Sequence, residues 1–282
     1  MTDFYDSKNI PCFGVAGNFT GHLEQAGEAI DFANVITKEA DAPKAIFPTY
    51  IPAKAGVPEF LKVFPFNSHK IIFPKGEEKL QIEPECAVIF NASWEGETLT
   101  KLSPLCFGAS NDCSIRKQGA KKISEKKNWG ECSKGFSDNL IMADGFEKGC
   151  SFDNYRIASF LIRNNKVYEY GENSAIRDYS YIYKKLTDWM LEKFNGQKNE
   201  GPAEDIHSYL VAALCPKQIM VSIGATRYTN FGETNFLQDK DKSVVVVYPE
   251  SKYTAEQIKG MAQSGNFTDN TISALIQTTT YC

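Results

Sequence analysis

Glu83 and Glu85 are two residues apart, and their neighbours Leu80, Ile82, Ala87, Val88, Ile89 and Phe90 are apolar and favour a strand. Positions two apart on a strand share one face, so this spacing aims two carboxylates at one point. Like charges in apolar surroundings are costly unless something positive lies between them. Asp112, on a separate segment, makes a third carboxylate. Three hard oxygen donors suit Mg²⁺ or Mn²⁺, and about three of six octahedral positions stay open for water or substrate. Histidine exchanges protons near neutral pH, and the chain carries three, at 22, 69 and 207. His69 lies in a proline-rich stretch and His207 in a polar one, so both read as structural or surface residues.

The elements that must position these groups follow from pattern. Residues 13–17 read as a short strand or turn. Leu23, Ala26, Ile30, Ala33 and Ile36 then keep helical spacing, which puts His22 near the start of a helix. On that helix Gln25 shares the face of His22, Glu24 faces away, and Glu28 is rotated far round unless the helix starts after His22. Residues 40–79, with Pro43, Pro48, Pro52, Pro58, Pro65 and Pro74, read as loops and short strands forming an extended flap beside the site. Residues 80–116 read as strands with turns at Gly96 and Ser103-Pro104, and 117–150 as a polar loop region around Lys134. Residues 157–162 and 167–170 flank Arg163-Asn164-Asn165-Lys166, a hairpin signature. Tyr183, Leu186, Trp189, Met190 and Phe194 predict a helix stopped by Asn195-Gly196. Residues 219–223 and 244–248 are strands, and Thr254-Ala255-Glu256-Gln257 is a capping box opening a short helix. Strands outnumber helices without alternating regularly with them, which argues against a doubly wound parallel sheet. We expect one domain over 1–282, with elaborated loops at about 40–79 and 117–150.

With 282 residues, 42% hydrophobic and 23% charged, the chain can bury a substantial core. A net charge of −4 leaves no electrostatic footprint for nucleic acid or an anionic membrane. The one basic stretch, Lys117, Lys121, Lys122, Lys126 and Lys127, is interrupted by Glu125 and lacks aromatic partners, so it reads as a solvated loop or helix face. The acidic residues near the start and the lack of any run near the roughly 20 apolar residues of a membrane span predict a cytoplasmic protein. Eight cysteines without C-x-x-C or zinc-finger spacing read as free thiols, mostly buried. Cys113 stands beside Asp112, but a nucleophilic role is not expected of it.

Four islands in order carry a resemblance. They are Gly17-Asn18-Phe19-Thr20-Gly21-His22; Glu83-Pro84-Glu85; Asn111-Asp112-Cys113-Ser114-Ile115-Arg116; and Trp129 with Lys134-Gly135-Phe136-Ser137-Asp138. Over residues 11–140 the chain resembles the fumarylacetoacetate hydrolase superfamily, as a divergent bacterial subgroup of it. The family's motifs are G-x-N-[YF]-x-x-H, E-x-E, N-D-x-[ST]-x-R and K-[GS]-[FY]-D. A weaker match at 219–226 looks like its strand ending in G-T-P. The resemblance implies a mixed α+β fold, mainly β, built as a β-sandwich roll with helices packed outside, and a homodimer. It implies Glu83, Glu85 and Asp112 as ligands of Mg²⁺ or Mn²⁺ and a small 2-oxo acid as substrate, reacting through a metal-stabilised enolate. The leading reaction is C–C hydrolysis of the acylpyruvate or fumarylacetoacetate type, or decarboxylation. Isomerisation or hydration of oxo-dienoates is the alternative on the same site, and a non-catalytic metal-binding pseudoenzyme is the reading of another class. His22 is the implied catalytic base. Lys134 is the partner of an oxyanion or of the substrate carboxylate. Arg116, pairing with a ligand carboxylate, and the Thr226 hydroxyl are substrate-binding candidates. At Gln25 the chain departs from the family, whose hydrolases and decarboxylases place a glutamate there. An amide can orient water or an imidazole but cannot accept a proton at neutral pH.

Overall fold

The computed structural model describes residues 6–32, 37–117 and 119–281. In chain order the strands are β1 (Cys12–Ala16), β2 (Ala45–Tyr50), β3 (Lys70–Phe73), β4 (Leu80–Gln81), β5 (Pro84–Glu95), β6 (Thr98–Asn111) and β7 (Ser114–Ile115). They continue with β8 (Gly135–Phe136), β9 (Ile141–Met142), β10 (Tyr155–Arg163), β11 (Lys166–Ala175), β12 (Gln218–Ser222), β13 (Lys242–Pro249) and β14 (Ser273–Tyr281). The α-helices are α1 (His22–Gln25), α2 (Tyr183–Gly196), α3 (Ile206–Ala212), α4 (Asn230–Thr234) and α5 (Ala255–Ser264). The fold is mixed α+β and mostly strand, as expected, and its larger sheet curls into a half-barrel.

That larger sheet runs β2-β1-β12-β5-β6-β8, with β9 also pairing β6. The second sheet runs β11-β10-β13-β14-β3, and β4 pairs β7 separately. Alternation along the strands decides which side chains meet. Phe13, Val88, Phe90 and Phe107 of the larger sheet share one core with Ile157, Leu161, Val245, Val247 and Leu275 of the second. Val244 and Val246, on the opposite face of β13, pack with Ile258 and Ala262 of α5, so that helix covers the outside of the second sheet. The expected hairpin is β10–β11, with Asn164 and Asn165 both at positive φ, as a two-residue turn of this kind requires. Its neighbours α2 and the capping box of α5 also form where the pattern placed them.

Two local expectations fail. The helix after His22 is a single turn, because Gly27 takes φ +69° and reverses the chain before a short 3₁₀ turn at Ala29–Phe32. Ala33 and Ile36, which suggested a longer helix, lie outside the described residues. Ser103-Pro104 is no turn either. It lies inside β6, where Ile89 faces Cys106 and Phe90 faces Pro104, so Leu105 is the extra residue of a bulge. Pro104 faces Phe90 directly beside the bulge, the kind of irregular strand position that accommodates a residue without an N–H.

Candidate metal centre

The β5–β6 hairpin brings the three acids together. Pro84 pairs with Asn111 in its antiparallel register, so Glu83 and Asp112 adjoin at the open end and Glu85 follows one pleat later. Asn111 fixes the junction: its Oδ1 accepts from the Glu83 N–H at 3.1 Å, and its Nδ2 donates to Gln277 Oε1 at 3.0 Å. The Asp112 N–H donates to the Glu83 carbonyl at 3.0 Å. One oxygen from each of Glu83, Glu85 and Asp112 lies within 4.8 Å of the others, and all three residues are buried. Glu85 Oε2 accepts from the Gly224 N–H at 2.9 Å, in the loop after β12.

Cations crowd this cluster. Lys134 enters through β8, which pairs with Ser110 and Asn111 of β6. Its Nζ stands 2.8 Å from Asp112 Oδ1 and 5.5 Å from the centre of the Trp129 ring, the motif's aromatic. Only glycine fits at 135, where a Cβ would lie 2.3 Å from the Gln277 amide. Arg116 Nη2 is 2.7 Å from Glu83 Oε1 and 2.8 Å from the Tyr228 hydroxyl; Nη1 is 2.7 Å from Glu28 Oε1, and Nε donates to Gln81. Lys127 Nζ bridges the two acids, 2.5 Å from Glu83 Oε2 and 2.7 Å from Asp112 Oδ2. Lys126 Nζ lies 2.9 Å from Glu28 Oε1. The solvated-face reading of the lysine stretch is therefore wrong for Lys126 and Lys127, which are buried. The 3₁₀ turn at Ile123–Lys126 buries Ile123 and Ser124 and turns both lysines inward with them.

Burial opposes ionisation of Glu83 and Glu85 alike, and the nearby charges decide which of the two overcomes it. Lys127 and Arg116 outweigh burial at Glu83 and hold its carboxyl well below the usual range. Glu85 has no ion pair among the described residues; burial, then Asp112 and Glu83, push its carboxyl well above that range against the weaker pull of Lys127. A buried acid that neighbouring carboxylates force to keep its proton is what a divalent ion would relieve. Three oxygen donors at this separation also fit Mg²⁺ or Mn²⁺ in donor chemistry.

His22 is buried, and burial lowers its imidazole from the ordinary value despite the opposing charge of Glu83. Its Nδ1 lies 2.9 Å from the Thr226 carbonyl oxygen. A carbonyl only accepts, so Nδ1 carries the proton and Nε2 keeps its lone pair. The Gln25 amide is tied to the Tyr228 main chain. Its Nε2 donates to the Tyr228 carbonyl at 3.1 Å, and its Oε1 accepts from the Tyr228 N–H at 2.8 Å. Thr226 is fully buried, and its hydroxyl finds no hydrogen-bond partner among the described residues. Asn18, from the first motif, pins the Tyr181 main chain and the Ile223 carbonyl. A cavity of about 500 Å³ is lined by Gln25, Glu28, Lys79, Arg116 and Lys126 among others, and by none of the three acids; Arg116 is the residue it shares with the cluster. Cys113 is inert, its thiol pushed up to about 12 by burial. His69 is exposed, and His207 Nε2 lies 3.0 Å from the Glu97 carbonyl oxygen.

Sequence reasoning missed Glu28, Lys126 and Lys127. Glu28 carried one usable signal, Gly27, a helix-stop residue directly before it. Nothing in the lysine stretch tells which of five lysines turns inward.

A family model described as "Family of unknown function (DUF5718)" matches residues 28–279. No curated protein matches. Among solved structures, 2-keto-3-deoxyarabinonate dehydratase in a hexagonal crystal form is 15% identical, with a TM-score of 0.57 over 96% of this chain and 74% of that one. The related 2-keto-3-deoxy-D-arabinonate dehydratase complexed with magnesium and 2,5-dioxopentanoate is 14% identical, with a TM-score of 0.55 over 96% and 73%. Cg1458 with an inhibitor is 13% identical, with a TM-score of 0.56 over 96% and 77%. At these identities the similarity is one of fold.

Proposed function

The chain belongs to the DUF5718 family and has the fold of the fumarylacetoacetate hydrolase superfamily, and from its site we propose that it is a metal-dependent enzyme moving a proton on a small 2-oxo acid. The reaction class is elimination or isomerisation rather than hydrolysis. The observation that carries this choice is Gln25. Both ends of its amide are bound to the Tyr228 main chain, so it cannot form the water-activating pair with His22 that C–C hydrolysis of the acylpyruvate type requires. The fold relative solved with magnesium and 2,5-dioxopentanoate is a dehydratase, which accords with the same choice.

Glu83, Glu85 and Asp112 would hold Mg²⁺ or Mn²⁺, which supplies Lewis-acid charge to the carboxylate and keto oxygens of a 2-oxo acid. His22 does the proton work. Burial keeps the ring neutral, the Thr226 carbonyl fixes its tautomer, and Nε2 is left as the base for a carbon-bound proton next to the keto group. Lys134 provides fixed positive charge beside Asp112 where an oxyanion develops. Arg116 and Lys126, on the wall of the cavity, give it the charge that suits a substrate carboxylate, and the unpartnered Thr226 hydroxyl is a donor for substrate oxygen. The whole chain acts as one catalytic unit, a cytoplasmic homodimer without nucleic-acid or membrane partners. Sedimentation showing a stable monomer at micromolar concentration would remove the dimer. Among the described residues no helix is long and apolar enough to cross a membrane.

Proton exchange tests the reading directly. In D₂O with Mg²⁺, the protein should speed deuterium incorporation at C3 of simple 2-oxo acids, followed by NMR. His22→Gln should slow it by about 10² to 10⁴, the range for a lost general base, with metal affinity unchanged. Cleavage of an acylpyruvate without C3 exchange would restore the hydrolase reading. No exchange with any 2-oxo acid would remove the function proposed.

A further inference from the structure

Each of the four oxygens of Glu83 and Asp112 has a cation within ion-pair distance, although Glu83 Oε1 and Asp112 Oδ2 accept no hydrogen bond among the described residues. Arg116 takes Glu83 Oε1 and Lys134 takes Asp112 Oδ1, each from its own side. Among the described residues Lys127 alone bridges the two acids, at Glu83 Oε2 and Asp112 Oδ2. Its ammonium also lies 3.5 Å from the Asp112 carbonyl and 5.1 Å from the centre of the Phe47 ring, so its charge faces an aromatic ring as well as the acids. A cation shared between Glu83 and Asp112 has those two oxygens to use, unless Arg116 or Lys134 gives way. Lys127 therefore stands where such an ion would bind.

We propose that Lys127 is an internal cation that holds the acid cluster together and must leave Glu83 and Asp112 before a divalent ion can bind them. The inference rests on the metal part of the reading above but not on the reaction. An ammonium 2.5 and 2.7 Å from these two oxygens fills the space between them that a bridging divalent ion would take: Mg²⁺ needs oxygens at about 2.0–2.1 Å, and like charges at such range repel strongly in a buried site. The acids are closed over in this arrangement, with side chains 4% exposed or less. Lys127 is thus both plug and counter-ion. It follows the Ile123–Lys126 turn directly, in the segment that joins the N-D motif to the K-G-F motif, so withdrawing one side chain clears the site without moving a sheet. Metal binding becomes an exchange of cations, weaker than three carboxylates alone would give.

The test measures Mn²⁺ affinity by electron paramagnetic resonance on the purified full chain. Lys127→Met keeps the length of the stem without the charge and should bind Mn²⁺ at least tenfold more tightly than the native protein. Lys127→Arg, which keeps the charge, should not. Equal affinity in native protein and Lys127→Met, with both lost in Glu83→Gln, overturns the exchange and leaves the metal site standing. No Mn²⁺ binding in any form removes the metal site and the exchange with it. Acetylation of the native protein, mapped by mass spectrometry, reads the same event without a mutation. Lys127 should be protected without metal and labelled at saturating Mn²⁺; protection that persists with Mn²⁺ bound overturns the proposal.

Discussion

At the scale of single residues, the site is a set of buried charges that tolerate one another only in company. Asp112 is the sharpest case, since Lys127 and Lys134 both lean on it. Asp112→Asn should cost about 3 to 5 kcal/mol of stability, the usual penalty for stripping one partner from a buried pair, and should abolish Mn²⁺ binding. Urea titration measures the first and resonance the second; a stability loss under about 1 kcal/mol would show that the ions are not held as a buried cluster. The acids were legible because their evidence is local: a spacing of two on an apolar strand, and an N-D pair ending another. The bases were not. Lys127 is a surface lysine by every local criterion, and its burial makes sense only once Glu83, 44 residues earlier, is beside it. Glu28 was hidden by treating a run of apolar positions as an unbroken helix across Gly27.

At the scale of elements, Gln25 and Glu204 each join two pieces of chain. The Gln25 amide laces α1 to the loop between β12 and α4. Gln25→Glu places a carboxylate against the Tyr228 carbonyl, an acceptor facing an acceptor, so it should destabilise by about 1 to 3 kcal/mol and create no acylpyruvate hydrolysis. Hydrolysis gained by that variant would mean that the chain had merely lost a catalytic pair. Glu204 lies in the connection between α2 and α3, and its carboxyl is pushed up to about 7, mainly by burial, with the Ser124 hydroxyl of the lysine-bearing turn and Lys122 pulling it down only in part. Unfolded, it titrates near 4.5, so the folded state binds the extra proton and loses stability as pH climbs from about 4.5 to 7. Glu204→Gln has no such proton to lose. Its stability advantage over the native protein should grow across that window and level off above it, to at most about 3 kcal/mol. Parallel pH profiles in chemical denaturation would dismiss the effect. The hairpin, the capping box and α2 were readable because each is closed by its own turn or cap. The bulge at Leu105 was not, since Ser-Pro marks a turn and an interrupted strand alike.

At the scale of the whole molecule, the order of strands was beyond pattern, because nothing within β1 or β5 announces what lies between them. The separator is β12, parallel to β1 through Cys12–Met220 and antiparallel to β5 through Val88–Val221. A chain ending near residue 210 should keep α2 yet expose both flanking edges, and we expect it to be insoluble where the full chain is not. A soluble, cooperatively melting 1–210 fragment would contradict that expectation. During synthesis the same geometry sets a timetable. β1 and β5 leave the ribosome early, but the strand that joins them emerges more than a hundred residues after β5. At about 5 to 20 residues per second, that leaves many seconds in which two bare strand edges, the kind that invite pairing with other chains, depend on chaperones for cover. The burden of making this protein falls on the cell's quality control before it falls on the finished fold.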